Sequence, residues 1–309
     1  MATYTYADLK STVNSRIHGK AGVIVNIRDA INRGVRKPWG EIDFRSAIRR
    51  ASLAPNLFND IYQYGAPSDL KGKGIVDIQP QTGDREGVDN WYHTTEEEFS
   101  RKKTIQRPMI AISNRDLTKK LLIAADMDNK ALILAALDSL TGDGGTWVLF
   151  GDGTNVQVDN DDFIKGSGSV RWDISAAGGT TAGIQNLTLN TNDITDYKSA
   201  GSVFVWQKIT SITGLTNFKL RLYSSSLNYY EITTTTTHEG EAFAVGWNLL
   251  RFDMANRSTT GTPVDTAISR GALYMTKLGS KISEVDYRTD HLIIQRGTIW
   301  NTKYYSRYP

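Results

Sequence analysis

The sequence predicts an α+β N-terminal domain, with helices and a small β region, followed by an all-β jelly-roll sandwich. Apolar residues recur at helical spacing up to about residue 52. From Trp147 onward, short runs of alternating apolar and polar residues are separated by Gly, Asn and Ser turns, which is typical of a sandwich or jelly roll. The Gly- and Asp-rich stretch 141–175 lies between the two patterns, and we expect it to supply the first strands of the sandwich.

This order of patterns predicts three segments. Residues 1–140 form the helical and β domain, residues 141–297 form the jelly-roll sandwich, and residues 298–309 form a C-terminal tail. Trp300 and the tyrosines that follow it make the tail too aromatic for a free end, so we expect it to be docked.

Three helices are predicted at the start of the chain, at residues 6–17, 23–36 and 42–52. In the first helix, apolar residues four positions apart make a narrow stripe: Leu9, Val13 and Ile17. Short helices with narrow stripes bury little apolar area alone. We therefore expect the stripe to be covered by the β region of the same domain or by a neighbouring chain.

The helices also carry a set of arginines outside their apolar stripes: Arg28, Arg33, Arg36, Arg45, Arg49 and Arg50. A basic surface of this kind could lie near DNA or pair with acids of an adjacent subunit. Because no aromatic residues are interleaved with the arginines, contacts with subunits or solvent are favoured. We predict that the stripe and these arginines form an oligomer interface.

Residues 58–136 change to a strand-like pattern interrupted by polar turns. Strands are predicted at 58–64 and 75–78, and further strands or a short helix are predicted between 91 and 136. The charged run 96–103 is either a solvated surface or a contact between subunits, and the solvated surface is favoured.

Composition excludes several kinds of chemistry. The chain has no Cys, which excludes disulfides, thiolate catalysis and cysteine metal sites. Its four histidines are scattered and show no metal-binding spacing. A net charge of +3 is not that of a nucleic-acid binder. We find no signal peptide and no apolar run of the ~20 residues needed to cross a bilayer.

The acidic run 159–166, DNDDFIKG, resembles a calcium loop in its spacing only. Ile164 stands where an EF-hand needs Gly, and no acid stands at the twelfth position. A turn rich in Asp is therefore favoured. A structural calcium of another type in the jelly roll stays open, with unassigned ligands, and no other cofactor is predicted. Paired carboxylates for glycoside hydrolysis stay open as well, although no active site is evident and the chain is predicted not to be an enzyme.

Aromatic residues on the predicted strands offer the clearest candidates for a binding surface. The tryptophans are Trp147, Trp172, Trp206 and Trp247, and we assign them to the core because large aromatics dominate sandwich cores. Tyr223 and Tyr229 lie among polar residues instead. They are therefore the predicted surface on which a sugar ring could stack.

The N-terminal part resembles the head-to-tail adaptor proteins of tailed bacteriophages. The resemblance covers residues 3–125 and is carried by the opening helices, with Val13-Asn14 and Ile17, and by FNDIYQYGAPSDLKGKGIVDI at 58–78. In these adaptors the turn within that segment has Leu where this chain has Ala66.

The C-terminal part is similar to the carbohydrate-binding-module-like jelly rolls of phage virion proteins. The similarity is carried by residues 144–173 and by three short segments: NYYE at 228–231, GWNLLRFD at 246–253 and DHLIIQRG at 290–297.

Together the two resemblances imply a structural virion protein located in the neck and assembled in the host bacterial cytoplasm. Its implied partners are copies of itself in a ring of twelve subunits, the portal protein and other neck or tail proteins. DNA would pass through the ring without sequence-specific contacts, and no membrane is involved. The alternative is a host-surface glycan-binding virion protein of the tail-fibre or receptor-binding type, and a glycoside-acting enzyme is a third hypothesis.

Overall fold

The computed structural model describes the following residues: 48–58, 61–67, 69–80, 92–102, 109–113, 119–124, 131–176, 178–278 and 283–306. Within these ranges the regular structure is almost entirely β. It includes one seven-residue helix, α1 (Glu96–Lys102), and three 3-10 helices of three residues each. No helix in this part of the chain is long and apolar enough to cross a membrane.

The first seven strands precede the Gly- and Asp-rich stretch. They are β1 (Ile48–Leu57), β2 (Gln63–Gly65), β3 (Leu70–Pro80), β4 (Tyr92–His93), β5 (Met109–Ser113), β6 (Lys120–Ala124) and β7 (Ala131–Ala135). The remaining strands are β8 (Trp147–Gly151), β9 (Gly153–Asp159), β10 (Ser169–Ile174), β11 (Thr181–Asn186), β12 (Gly201–Ile209), β13 (Leu215–Ser225), β14 (Asn228–Thr234), β15 (Gly246–Asp253), β16 (Ser258–Thr260), β17 (Arg270–Lys277), β18 (Glu284–Arg296) and β19 (Thr298–Ser306).

Two six-stranded sheets pack against each other. The front sheet has the order β15-β12-β18-β10-β9, with β7 also paired to β18, and the back sheet has the order β16-β14-β13-β17-β11-β8. Eight of these strands, β10-β18-β12-β15 in front and β11-β17-β13-β14 behind, follow the strand order of a jelly roll. The predicted jelly-roll sandwich is therefore confirmed.

The core between the two sheets follows from strand alternation, since successive side chains point to opposite faces. On β12, Val203 and Val205 are fully buried between the sheets. Trp172 of β10 stacks on Tyr287 of β18, with ring centroids 5.0 Å apart. Phe204, between the two valines, points away from this core and belongs to a second one.

Asp143 fixes the start of the jelly roll. Its carboxylate accepts hydrogen bonds from the backbone N–H groups of Ala136 and Leu137 and from Nε1 of Trp147, at 2.8, 3.2 and 2.9 Å. One acid thus ties the end of β7 to the start of β8. The stretch 141–175 supplies strands β8 to β10 of the sandwich, but β7, which pairs with β18 in the front sheet, precedes it.

The predicted α+β N-terminal domain is wrong. Residues 48–52 were assigned to the third predicted helix, but they form the start of β1, which pairs antiparallel with β19. Backbone pairing along a long strand overrides a short helical periodicity, because intrinsic propensity is a weak preference. The first two predicted helices, 6–17 and 23–36, lie outside the described residues.

The strands before residue 125 belong to two small sheets. One has the order β1-β19-β3 and the other β2-β6-β5-β4. A second hydrophobic core joins this part of the chain to the outer face of the front sheet. There Phe58 meets Phe204 edge to face, with ring centroids 4.6 Å apart, and Leu249 belongs to the same core.

Candidate functional site

An open cleft lies on the outer face of the front sheet and has a volume of about 550 Å³. Its floor is formed by side chains of β12 and β15. One wall is the loop at residues 235–245, which connects β14 to β15, and the other side includes residues 61–63 and Lys165. Volumes of this size are typical of sites that bind small molecules.

Trp206 and Trp247 lie on the floor of the cleft. Because Val203 and Val205 of β12 point into the sandwich core, Trp206 points outward. The strand register pairs Trp206 with Leu249 and Lys208 with Trp247. The two tryptophans are therefore diagonal neighbours on one face of the sheet, a spacing of roughly 7–8 Å between backbone positions.

Trp247 is held at its edge by an acidic residue. Its Nε1 donates to Oδ1 of Asp162 at 2.9 Å. The other carboxylate oxygen pairs with Lys208 and lies 3.5 Å from Nε of Arg288. Burial opposes ionisation of Asp162, but the hydrogen bonds from Lys208 and Trp247 outweigh burial and lower its pKa.

The loop wall is tied to the N-terminal strands by a cluster of ion pairs. The ammonium group of Lys120, on β6, contacts the carboxylates of Glu239 and Glu241. Nε2 of His238 donates to the carbonyl oxygen of Gln63 at 2.8 Å, because a carbonyl can only accept. Burial lowers the pKa of His238. The cleft is therefore shaped by two parts of the chain that are far apart in sequence.

Two of the three acids of the 159–166 run, Asp159 and Asp162, pair with cations. Asp159 accepts hydrogen bonds from Arg288 at 2.7–2.8 Å, and Asp162 contacts Lys208 and Arg288. Within the ranges that the structure describes, no group of three or more His, Asp or Glu side chains is arranged to hold a metal ion. The run serves as an ion-paired turn beside Trp247.

The predicted oligomer interface falls almost entirely outside the described residues: Leu9, Val13, Ile17, Arg28, Arg33, Arg36 and Arg45. The other two members, Arg49 and Arg50, lie on β1 and not on a helix, opposite Tyr304 and Lys303 of β19. The predicted helical surface that grouped these two arginines with the others is therefore absent at residues 49 and 50.

The structure brings Tyr223 and Tyr229 together as a cross-strand pair on the outer face of the back sheet. Their ring centroids are 4.9 Å apart. The guanidinium of Arg221 lies 4.9 Å from the centre of the Tyr229 ring, and its Nε bonds to Glu231 at 2.5 Å. Part of this aromatic surface is thus covered by an arginine of the same sheet. It remains a predicted glycan surface.

Sequence reasoning placed all four sandwich tryptophans in the core. Trp147 and Trp172 are there, fully buried. Trp206 packs against the second hydrophobic core, and both Trp206 and Trp247 line the cleft. The alternation of side chains along β12 could have distinguished Trp206 from the core tryptophans. Val203 and Val205 point to one face of the sheet, so Trp206 must point to the opposite face.

Comparison with solved structures finds similarity to carbohydrate-binding modules. A xylan-binding domain from family 22 is 18% identical, with 52% of this chain and 92% of that chain covered and a TM-score of 0.29. A family 30 module is 15% identical, with 56% and 98% covered and a TM-score of 0.33. The family 30 module of a cellulosomal cellulase of Clostridium thermocellum is 13% identical, with 56% and 96% covered and a TM-score of 0.33.

No protein-family model and no curated protein matches this sequence. The class of fold is defined by the strand order itself, which is that of a jelly-roll β-sandwich.

Proposed function

We propose that this protein binds a glycan in the cleft on the front sheet. The observation that carries the proposal is the pair of tryptophans, Trp206 and Trp247, on the floor of an open cleft with polar walls. A sugar ring has an apolar C–H face and a rim of hydroxyl groups. An indole can pack against the first, while polar groups of the walls bond to the second.

The charges around the cleft favour an uncharged glycan. Glu239 and Glu241 share the ammonium group of Lys120, and Lys165 adds one positive charge to the lining. The two carboxylates and the two ammonium groups balance. A uronic-acid polymer would gain no net attraction here, so the proposed ligand is a neutral oligosaccharide.

The test is calorimetric titration of the intact protein with neutral oligosaccharides chosen from a glycan array. Binding that is lost in both Trp206→Ala and Trp247→Ala supports the cleft. Absence of any binding across neutral and acidic glycans would contradict the proposal.

The neck-adaptor hypothesis receives no support from the described strands or from the comparisons, and its helical N-terminal domain is wrong. The homo-oligomeric state, the virion location and the lack of enzymatic activity stay predictions. Light scattering of the purified protein tests the first, virion proteomics the second, and hydrolysis assays on bound glycans the third.

A further inference from the structure

We propose that Asp162 is a positioning residue for Trp247, and that it sets the angle at which the indole ring faces the cleft. The proposal rests on the proposed function, since it concerns how the cleft recognises a sugar ring. It begins from the contact between Trp247 Nε1 and Asp162 Oδ1 at 2.9 Å.

Hydrogen bonds that do not involve Trp247 hold the backbone around Asp162 in place. Oδ1 of Asp159 accepts the N–H groups of Asp161 and Asp162, at 2.9 and 3.2 Å, and so closes a tight turn. The hydroxyl of Ser169 donates to the carbonyl of Asp162 at 2.8 Å. The carboxylate is therefore presented from a defined position.

The carboxylate itself is held between cations. Lys208 lies directly opposite Trp247 in the strand register and pairs with Oδ2 of Asp162. Arg288 lies 3.5 Å from the same oxygen and is anchored by Asp159. These contacts keep Asp162 ionised and aimed, so that Oδ1 remains a strong acceptor for the indole N–H.

The arrangement assigns a specific role to the indole. Its single N–H is used by Asp162, and rotation of the ring would break that bond. Trp247 therefore offers the ligand its face and not its hydrogen-bond donor. At this position the cleft contacts the apolar face of a sugar ring, and other residues must form the hydrogen bonds with its hydroxyl groups.

The experiment compares Asp162→Ala, Asp162→Asn and Asp161→Ala in the intact protein. Two quantities are measured: the indole N–H resonance of Trp247, identified by its loss in Trp247→Phe, and the affinity for a neutral oligosaccharide. Asp161 is a matched control, because it is an exposed acid next to Asp162 in the same turn.

Asp162→Ala is expected to shift the indole resonance, speed its hydrogen exchange and weaken glycan binding about tenfold, which is ~1.4 kcal/mol. Asp162→Asn keeps an acceptor oxygen and should restore most of the affinity. Asp161→Ala should change neither quantity. Trp247→Phe, which retains an aromatic face, should bind more tightly than Trp247→Ala.

An unchanged resonance and affinity in Asp162→Ala would overturn the positioning role. If Asp162→Ala does not fold, the resonance in Asp162→Asn decides, because loss of the charge should still shift it. If the unmodified protein binds no glycan, the proposed function fails, while the resonance and its exchange rate still test the positioning of the ring.

Discussion

Lys120 on β6 and Glu239 in the β14–β15 loop form an ion pair whose side chains are only 3% and 10% exposed. The pair joins the N-terminal strands to the wall of the cleft. Removing one partner of a buried pair leaves the other charge without compensation, and that loss usually exceeds the net gain from the pair itself. The stability of the cleft wall should therefore depend on this contact.

Lys120→Met is expected to lower the free energy of unfolding by about 3–5 kcal/mol, because Glu239 is left buried and unpaired. Equilibrium urea denaturation measures the change. Adding Glu239→Gln should recover part of the loss. The matched control is Arg101→Met, whose ion pair with Glu97 has side chains 74% and 73% exposed and should be worth less than ~1 kcal/mol. Equal losses in Lys120→Met and Arg101→Met would contradict a structural role for the buried pair.

His238 should make stability depend on pH. Burial lowers its pKa from the ordinary value of 6.5, Lys120 lowers it further, and Glu239 and the carbonyl of Gln63 raise it in part. Its Nδ1, where a second proton would bind, is buried without a hydrogen-bond partner among the described residues. The unfolded chain therefore binds a proton more readily. The part of the unfolding free energy that depends on neutral His238 is fully present above pH 6.5 and is lost as the pH falls below that value.

His238→Gln should flatten this dependence between about pH 7.5 and 5.5, as measured by unfolding free energies at each pH. His93→Gln is the control, because His93 is exposed. If the two variants show the same slope as the unmodified protein, His238 is not the group responsible.

Two aromatic surfaces can be separated by mutation. Trp206→Ala and Trp247→Ala should each weaken glycan binding about tenfold or more, as expected for central aromatic contacts. Tyr223→Ala and Tyr229→Ala, on the back sheet, should leave it unchanged. Titration calorimetry on all four variants measures the affinities. The reverse pattern would assign the glycan to the back sheet and reject the cleft.

Glu231 should contribute to the stability of the back sheet. Burial alone would raise its pKa, but hydrogen bonds from Tyr274, Lys219 and Arg221 lower it from 4.5 to about 2. Glu231→Gln is expected to cost about 1–3 kcal/mol at neutral pH. The contribution is present above pH 4.5 and is lost as the pH falls toward 2.

The contribution of Glu231 is tested by measuring the unfolding free energy as the pH is lowered, with Glu97→Gln as the exposed control. The acid-dependent loss should be smaller in Glu231→Gln than in the control. A loss of the same size in both variants would show that the network around Glu231 does not stabilise the folded state.

The jelly roll could be predicted because its signal is local. Alternation in β12 places Val203 and Val205 on one face and Phe204 and Trp206 on the other, and turns mark the ends of each strand. The same alternation does not predict that N-terminal residues cover part of the outer face of the front sheet. The packing of Phe58 on Phe204 joins segments far apart in sequence, and only the folded chain brings them together.

The N-terminal prediction failed for a related reason. Residues 42–52 show apolar spacing compatible with a helix, but the partner of Ile48 is Tyr305. A strand pairing of that sequence separation leaves no trace in a short window. His238 and Glu239 of the cleft wall meet Lys120 of β6 in the same way, so no local sequence motif could predict this cluster. The boundaries predicted at 140 and 297 stay predictions.

The position of β19 between β1 and β3 has a consequence for biosynthesis. The segments that form β1 and β3 are synthesised long before residue 298, so the three-stranded sheet cannot form until nearly all of the described chain has been made. Until then, these two segments lack their central strand β19, and their unpaired backbone groups favour chaperone binding or aggregation of the nascent polypeptide. A chain truncated within the jelly roll would lack β19 and could not form that sheet.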